Sequence, residues 1–490
     1  MTGIPVGFDE NGRPLTYKHE GNSSGEGHLF LSAAARTGKM VSILAPALLQ
    51  YDQGSCIIID PKGELAAVTG PQRARMGQRV LILNPFNILP GVLAPDTPHH
   101  FRGLEKWVTF GAKFSPMAAL DPGSDTFGAD CDNIADSIVT HEGGDRENHW
   151  SDSARGLVAG LIGHLAANEE DERKKTLDML RRAITSPSML QRFAHEAQME
   201  NAGQDESVAE TLEPFADKDA ANKGEIASII STARTQTRFL GTSAIAKSLN
   251  GSDFRFMDLK QQPTTVYLVL PVKYLKSCGK WFRLVLASAL NELLTETKGL
   301  PVLCVLDEFA QLGKLAVIEN TLGLAAGLGV QLWPVLQDLT QLKDLYRERW
   351  ESFLGCAGVQ MFFAPREYTS SEEISKLCGE TTVEVPSESK NTSKDNIGWN
   401  TGTNQGTATN LTQRRALLPQ EIRQLPGNEF LMFWDGLPGR FIKAYRKPYW
   451  RIPELNGEAG LSAKLGHALY SPNPYYVVQP AGADEGRATR

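Results

Sequence analysis

The strongest constraint on the fold of this 490-residue chain is a series of short apolar runs that alternate with helical segments. Apolar runs of this kind are typical of strands in a parallel sheet, because the connecting helices cover both faces of the sheet. The sequence therefore predicts an α/β fold with a mostly parallel sheet. The runs are HLFLS, SCIIID, RVLILNPF, TTVYLVLPV, PVLCVLDEF, VQLWPVLQ and VQMFFA.

A long helical stretch interrupts the strands. From residue 126 to residue 247 the apolar residues recur with helical periodicity, as in SDSARGLVAGLIGHLAAN. We therefore expect an all-α domain over 126–247, inserted between two parts of one α/β domain, 1–125 and 248–454. Two further segments are expected outside the core. Residues 386–413 are rich in Ser, Thr, Asn and Gly and predict a flexible loop, and residues 455–490 predict a loosely attached C-terminal tail.

The overall charge excludes a uniformly basic surface. The chain has 50 basic and 57 acidic residues, a formal net charge of -7. Any contact with nucleic acid is therefore expected to be local, such as a groove or the lining of a ring. The first residues lack the apolar segment of a secretory signal, and no run of about 18 apolar residues predicts a membrane span. We expect a cytoplasmic chain that reaches a membrane only through partners.

A glycine–lysine pair follows the first apolar strand. Residues 33–40 align with the phosphate-binding pattern G-x-x-x-x-G-K-[ST] at Gly38 and Lys39. In such a loop, backbone N–H groups surround a phosphate at a helix N-terminus, and the lysine reaches the β and γ oxygens. The match is weak by itself, since Ala33 replaces the first glycine and Met40 replaces the Ser or Thr. The residues expected at the nucleotide are Ala35, Arg36, Thr37, Gly38, Lys39 and Met40.

An acidic pair strengthens the prediction of a nucleotide site. Asp307 and Glu308 end the apolar strand VLCVL, where carboxylates are costly unless they face a cation or a polar cleft. In a P-loop ATPase the first carboxylate orients Mg²⁺ and the second polarises the attacking water. We therefore predict ATP and Mg²⁺ as cofactors and Asp307 as the metal residue. The alternative is that both residues simply end a strand.

A third element is Gln337, which ends the next strand. At this position it is well placed to sense the γ-phosphate, although a helix-capping role is an equally good interpretation. The following segment begins with Asp338 and has Gln341 three residues later, which predicts a capping box. Pro334 inside the strand counts against the assignment, because proline cannot donate to the ladder.

One lysine and one group of basic residues each have two interpretations. Lys62 follows a strand expected to neighbour the strand of the phosphate-binding loop, so it could line the interior of a ring, but a solvated turn lysine is the preferred interpretation. The segment GRFIKAYRKPYW carries basic residues among aromatics, which suits contacts with single-stranded nucleic acid. Alternation in a half-exposed strand produces the same pattern and is the preferred interpretation. These basic residues are Arg440, Lys443, Arg446 and Lys447.

Several motifs in fixed order make the chain resemble the TraG-like coupling proteins of type IV secretion, which are conjugative DNA-transfer ATPases. The resemblance covers about residues 26–450. It implies a RecA-like P-loop NTPase domain with an all-α insert. It also implies catalytic roles for Lys39 as the P-loop lysine, for Asp307 and Glu308 as the Walker B pair, and for Gln337 as the strand-end glutamine. The motifs are GHLFLSAAARTGKMVSILAPALL, IIIDPKGEL, LNPF, WSDSARGLVAGLI, VLDEFAQLGKL, PVLQDLTQLKDLY and ALLPQEIRQLP.

The resemblance also implies a biological role and partners. Such proteins assemble as rings, expected here to be homo-hexamers, at the cytoplasmic mouth of a secretion channel on the inner face of the bacterial membrane. They receive a relaxase–single-stranded DNA complex or an effector protein and deliver it to the channel components with ATP.

Three departures from the family pattern affect the expected activity. The sequence predicts none of the usual membrane-spanning segments, Met40 supplies no hydroxyl to Mg²⁺, and the apolar segment 322–329 lacks an arginine that often acts across the subunit boundary. We expect nucleotide binding and slow hydrolysis. One alternative is a non-hydrolysing adaptor of the same system, and another is a DNA translocase that works on chromosomes. The motifs DEFAQLGKL and SDSARGL disfavour the translocase.

Overall fold

The structure is a computed structural model, and it describes most of the chain. The described residues are 3–17, 27–88, 101, 103–140, 145–168, 174–200, 206–217, 224–295, 298–394, 401–434 and 441–455.

A large mixed sheet forms the centre of the molecule. Its strands, in chain order, are β1 (Ile4–Phe8), β2 (Pro14–Tyr17), β3 (His28–Ser32), β4 (Ser55–Asp60), β5 (Arg79–Leu83), β6 (Val108–Phe110), β7 (Thr264–Val269), β8 (Val302–Leu306), β9 (Val330–Leu336), β10 (Ala357–Phe362), β13 (Glu429–Trp434) and β14 (Ile442–Tyr445). β11 (Glu380–Lys394) and β12 (Thr401–Arg415) form a separate pair.

The order of the strands is β2-β1-β14-β13-β10-β3-β9-β8-β4-β7-β5-β6. The strands from β10 to β6 in this order are parallel to one another. β13 pairs antiparallel with β10, and β14, β1 and β2 extend the sheet with further antiparallel pairs. The predicted α/β fold with a mostly parallel sheet is confirmed. This order places β9 between β3 and β8, so the loops that follow these three strands lie side by side at one edge.

The helices cover both faces of the sheet. Alternate side chains of the strands point to opposite faces, so Ile57 and Ile59 of β4 join one apolar cluster while Cys56 and Ile58 join the other. The α-helices are α1 (Ala45–Gln50), α2 (Glu64–Arg75), α3 (Phe127–Ile138), α4 (Asp145–Asn168), α5 (Leu177–Thr185), α6 (Pro187–Glu200), α7 (Glu206–Leu212), α8 (Gly224–Gln236), α9 (Ser243–Ser248), α10 (Leu275–Cys278), α11 (Lys280–Leu293), α12 (Ala316–Ala325), α13 (Leu339–Tyr346), α14 (Trp350–Gly355), α15 (Tyr368–Cys378) and α16 (Pro419–Arg423).

The helices α3–α9 follow one another between β6 and β7, and no strand interrupts them in the described part of this segment. Their buried apolar side chains, such as Leu157 and Leu161 of α4, belong to the same cluster as Ile57 and Ile59 of the sheet. The helical segment and the sheet therefore share one continuous core. The domain boundaries at residues 126 and 247 stay predictions.

The flexible loop predicted over 386–413 is wrong. β11 and β12 pair in continuous antiparallel register from Glu380 with Arg415 to Lys394 with Thr401. Threonine is frequent in both strands, and its β-branched side chain favours the extended backbone. Composition suggested a loop because Ser, Thr and Asn are frequent in loops. Two segments of this composition can still form a hairpin when their backbones pair. Residues 395–400 lie outside the described residues.

The predicted C-terminal tail spans residues 455–490. Residues 456–490 lie outside the described residues, and Leu455 is buried. Among the described residues, no helix combines the length and the apolar character needed to cross a bilayer.

Candidate nucleotide-binding site

The loop after β3 has the backbone of a phosphate-binding loop. Arg36 and Gly38 adopt positive φ values of 62° and 83°, and the Ser42 N–H donates to the Gly38 carbonyl at 3.0 Å as the helical turn begins. Ala33 does not have a positive φ and is buried, so an alanine is tolerated in place of the first glycine. Ala35 and Arg36 are exposed, whereas the residues from Thr37 to Met40 are half-buried.

The turn after Lys39 is wider than an α-helix. Met40–Leu44 forms a π-helical turn before α1, and the Ala45 N–H donates to the Met40 carbonyl. Pro46 in the first turn of α1 has no N–H to donate to the ordinary α-helical acceptor. The loop and this turn point Lys39 toward the neighbouring strand ends.

The acidic pair meets this lysine. Lys39 Nζ lies 3.0 Å from Asp307 Oδ1 and 3.1 Å from Glu308 Oε1. The side chains of the three residues are only 12%, 14% and 21% exposed. Glu308 adopts a left-handed backbone with φ 55° and ψ 43°, which is unusual for a residue other than glycine. Its N–H donates to Asp307 Oδ1 at 3.1 Å, so each carboxylate has a defined orientation.

Gln337 completes this group. It follows β9, the strand between β3 and β8, and its Nε2 donates to Glu308 Oε2 at 2.9 Å. The predicted cap of the next helix is present in part, because Asp338 accepts from the Gln341 N–H at 3.0 Å. The Gln341 side chain accepts from the Gln337 N–H instead of the Asp338 N–H. The pairing of β9 with β3 starts at Val335, one residue beyond Pro334, so the strand accommodates the proline.

The charges of these groups shift one another. Burial works to lower the pKa of Lys39, but the carboxylates of Asp307 and Glu308 outweigh it and raise this pKa. Burial raises the pKa of Asp307, although Lys39 opposes the shift. For Glu308, burial is outweighed by the charge of Lys39 and by the hydrogen bonds from Gln337 and Lys39, and its pKa is lowered. Lys39 is therefore a charged lysine, and Glu308 is ionised at neutral pH.

Hydroxyl groups near the loop are already engaged. Met40 has none, and Ser42 Oγ donates to the Gly38 carbonyl at 2.7 Å. Thr37 Oγ1 donates to the Ala34 carbonyl at 2.6 Å. The carboxylate of Asp307 is an oxygen ligand of the kind that Mg²⁺ prefers, and Mg²⁺ usually keeps several waters. The site therefore fits a magnesium ion held by Asp307 without a hydroxyl ligand from the loop.

The sequence reasoning missed two residues at this site. Asp60 at the end of β4 is buried, and its carboxylate accepts from the N–H groups of Glu64 and Ala66. Burial raises its pKa to about 7, and the nearby charge of Asp307 adds to the shift. The position of Asp60 at the end of an apolar strand is the same signal that identified Asp307. The second residue is Arg446, which the sequence placed only among the basic residues of GRFIKAYRKPYW. Its side chain contacts the loop, and no local motif indicates this contact.

The structure also defines the surroundings of three other basic residues. Lys62 is exposed, and its strand β4 is separated from β3 by β8 and β9, so the expectation that the two strands are neighbours is wrong. Its charge lowers the pKa of Glu308, but only as a minor contribution. Arg234 donates to the carbonyls of Ile184 and Thr185 within the helical segment, and Arg238 is exposed.

Comparison with known proteins shows the family. The family described as type IV secretory system conjugative DNA transfer matches residues 7–91 and 106–466. The conjugal transfer protein TraG of Escherichia coli is 28% identical over 505 residues, which cover 94% of this chain and 73% of that protein. The type IV secretion system-coupling protein VirD4 of Bartonella quintana is 25% identical over 88% of this chain and 64% of its own length.

Solved structures show the same fold. The bacterial conjugative coupling protein TrwB superposes with a TM-score of 0.63 at 18% identity and covers 91% of this chain and 88% of its own. A structure of TrwB in complex with ADP and Mg²⁺ has a TM-score of 0.62 at 17% identity, with 91% and 89% covered. The fold is that of a RecA-like P-loop NTPase. The chain belongs to the conjugative DNA transfer family of type IV secretion, as a TraG-like coupling protein.

Proposed function

We propose that the chain binds MgATP at the Lys39 loop, hydrolyses it slowly, and uses it to deliver substrate to a type IV secretion channel. The observation that carries the proposal is the contact of Lys39 with both Asp307 and Glu308 at 3.0 and 3.1 Å. The fold brings together an ammonium group, two carboxylates and a loop whose backbone can surround a phosphate. These groups come from two distant parts of the sequence. The TrwB structures with ADP and Mg²⁺ and with ADPNP support the same use of this fold.

The loop supplies the binding energy for phosphate in this proposal. The N–H groups of Ala35, Arg36 and Gly38 to Met40 would face the phosphates, whereas the Thr37 N–H donates within the loop to the Ala34 carbonyl. Lys39 would exchange its carboxylate partners for phosphate oxygens. Loss of the lysine partner would leave two buried carboxylates together, which is unfavourable. Asp307, the more buried carboxylate, would hold Mg²⁺ and so recover a positive partner. The pocket therefore favours the metal and the nucleotide together.

Glu308 and Gln337 act on the attacking water in this proposal. Glu308 is ionised and has a fixed orientation. A group that polarises water or accepts a proton from it requires both properties. Gln337 donates to the same carboxylate and lies at the end of β9, the strand between β3 and β8. Its amide could contact the γ-phosphate from there. Hydrolysis is expected to be slow because Met40 offers no hydroxyl to the metal and α12 contributes no arginine.

The proposed partners follow from the family. The substrate would be a relaxase–single-stranded DNA complex or an effector protein, and the acceptor would be the channel components. The working assembly would be a homo-hexamer on the cytoplasmic side of the bacterial membrane.

A non-hydrolysing adaptor of the same system is the second candidate. It is favoured by Met40, which offers no hydroxyl to a metal, and by Ser42, whose hydroxyl donates to the Gly38 carbonyl and accepts from Arg446. The two candidates share nucleotide binding and differ in turnover.

ATP turnover with no DNA, single-stranded DNA and duplex DNA separates the candidates. The coupling function predicts turnover that single-stranded DNA stimulates and that the Lys39→Ala variant loses. No turnover, with retained binding of ATP, would support the adaptor. Stimulation by duplex alone would support a translocase. The exposed Lys298→Ala variant, just before the amino end of β8, is the control for removal of a surface lysine.

A further inference from the structure

Arg446 joins the C-terminal part of the sheet to the phosphate-binding loop. It follows β14, and its N–H donates to the Asn428 carbonyl at 2.9 Å, just before β13. Its Nη1 donates to the Thr37 carbonyl and, at 3.1 Å, to Ser42 Oγ, and its Nη2 donates to the Gly427 carbonyl. One guanidinium therefore contacts both ends of the turn that contains Gly38 and Lys39.

An aromatic ring also packs against the flat face of the Arg446 guanidinium. The Phe363 ring centroid lies 4.1 Å from the carbon of the guanidinium, a distance at which a cation and an aromatic ring attract each other. Phe363 is buried and directly follows β10, the strand beside β3. Burial lowers the pKa of Arg446 to about 10, so the side chain stays charged at neutral pH. This environment fixes the direction of the two N–H groups.

The contact with Thr37 determines the direction of the next N–H group. A trans peptide is planar, so the Thr37 carbonyl and the Gly38 N–H point in opposite directions. A carbonyl held by Arg446 on one side of the loop therefore turns the Gly38 N–H toward the other side. We infer that Arg446 is a positioning residue for nucleotide binding, which keeps the Gly38 N–H directed at the bound phosphate. The inference rests on the nucleotide function proposed above.

Gly38 explains why such a support is needed. Its φ of 83° lies in the region where glycine is unstrained, and glycine moves between backbone conformations more easily than any other residue. A Cβ at this position would lie 3.3 Å from Arg446 Nη1, so the guanidinium packs closely against the glycine backbone. Gly38 makes the loop flexible at this position, and the contact with Arg446 fixes the orientation of the Thr37–Gly38 peptide. Arg446 and Thr37 are 409 positions apart in the sequence.

Calorimetric titration of the full chain with Mg²⁺ and a non-hydrolysable ATP analogue tests this role. In the Arg446→Met variant the Kd is expected to rise about tenfold, because the supporting charged hydrogen bonds are lost. The number of sites per chain is expected to stay unchanged. The Arg446→Lys variant keeps one charged donor, so an intermediate Kd is expected. Lys447→Met is the matched control, since Lys447 lies over the Phe8 ring and not at the loop, and its Kd is expected to stay parental.

The outcomes are distinguishable. A parental Kd in Arg446→Met overturns the inference, and so does a fall in the number of sites at a parental Kd, which is the sign of a purely structural role. No binding by the parent itself would instead refute the nucleotide function. If Arg446→Met does not fold, Phe363→Leu removes the ring and keeps the arginine. A parental Kd in both Phe363→Leu and Arg446→Lys then overturns the inference.

Discussion

Gln337 Nε2 donates a 2.9 Å hydrogen bond to Glu308 Oε2, and this bond joins the ends of two adjacent parallel strands. The same carboxylate group contacts Lys39 through its other oxygen. Glu308 thus has one oxygen on the lysine of the loop and one on the amide of β9. A change at the nucleotide that displaces Lys39 therefore also changes the surroundings of Gln337.

Replacement of Gln337 by alanine is expected to slow hydrolysis more than it weakens binding. The variant loses a hydrogen bond to a charged group, a type of bond that contributes about 1.5–3 kcal/mol, and a loss of that size in the transition state lowers kcat by about ten- to a hundredfold. Steady-state kinetics should show the lower kcat with a KM close to that of the parent. Gln413→Ala, at an exposed position of β12, is the control. A KM that rises while kcat stays parental would assign Gln337 to binding.

Asp60 is expected to make the stability of the protein depend on pH. Its pKa is raised to about 7 by burial, whereas an aspartate in the unfolded chain titrates near 4. Between these values the folded protein holds a proton that the unfolded chain has released. The contribution of Asp60 is therefore present at low pH and is lost as the pH rises toward 7, by up to about 1.4 kcal/mol per pH unit.

Urea denaturation of the parent and of Asp60→Asn at several pH values measures this contribution. The free energy of unfolding of the parent minus that of the variant is expected to fall from pH 5 to pH 7. Asp52→Asn, at an exposed position before β4, shows the effect of the substitution elsewhere. A difference that rises with pH would mean that Asp60 is stabilised as a carboxylate.

The hairpin of β11 and β12 is expected to protect its backbone from hydrogen exchange. The pairs from Glu380 with Arg415 to Lys394 with Thr401 engage amides that a flexible loop would leave open to water. Hydrogen exchange followed by mass spectrometry should show slowed exchange in peptides from both strands. Exchange as fast as in an unfolded peptide would favour the loop that composition suggested.

The parts of the site that local motifs encode could be predicted from the sequence. Gly38 with Lys39, and Asp307 with Glu308, each combine a strand end with a specific residue type, and parallel strands bring such ends to one edge. Gln337 could be placed for the same reason. The placement of Lys62 was wrong because the order of strands in a sheet depends on long-range packing. Periodicity within a strand does not determine it.

The remaining features depend on partners distant in the chain. Arg446 donates to a backbone carbonyl of the loop, and a carbonyl is present at every residue, so no motif marks the pair. β1 and β2 are absent from the predicted strands, because Asp9, Asn11 and Gly12 between them give this segment the composition of a turn. The structure instead places β1 and β2 at the edge of the sheet, with β1 against β14 from the other end of the chain. The hairpin likewise required knowledge of which segments pair.

The Glu308→Gln variant tests the central claim most directly, namely that the lysine at residue 39 and the acidic pair at 307–308 act on one triphosphate. Glutamine keeps the shape of the side chain and removes its charge. Single-turnover hydrolysis of ATP by the parent and the variant should be measured with ATP bound to both. We expect the variant to bind ATP and to hydrolyse it at least about a hundredfold more slowly, a loss of about 2.7 kcal/mol in the transition state. Hydrolysis by Glu308→Gln at the rate of the parent would contradict the assignment.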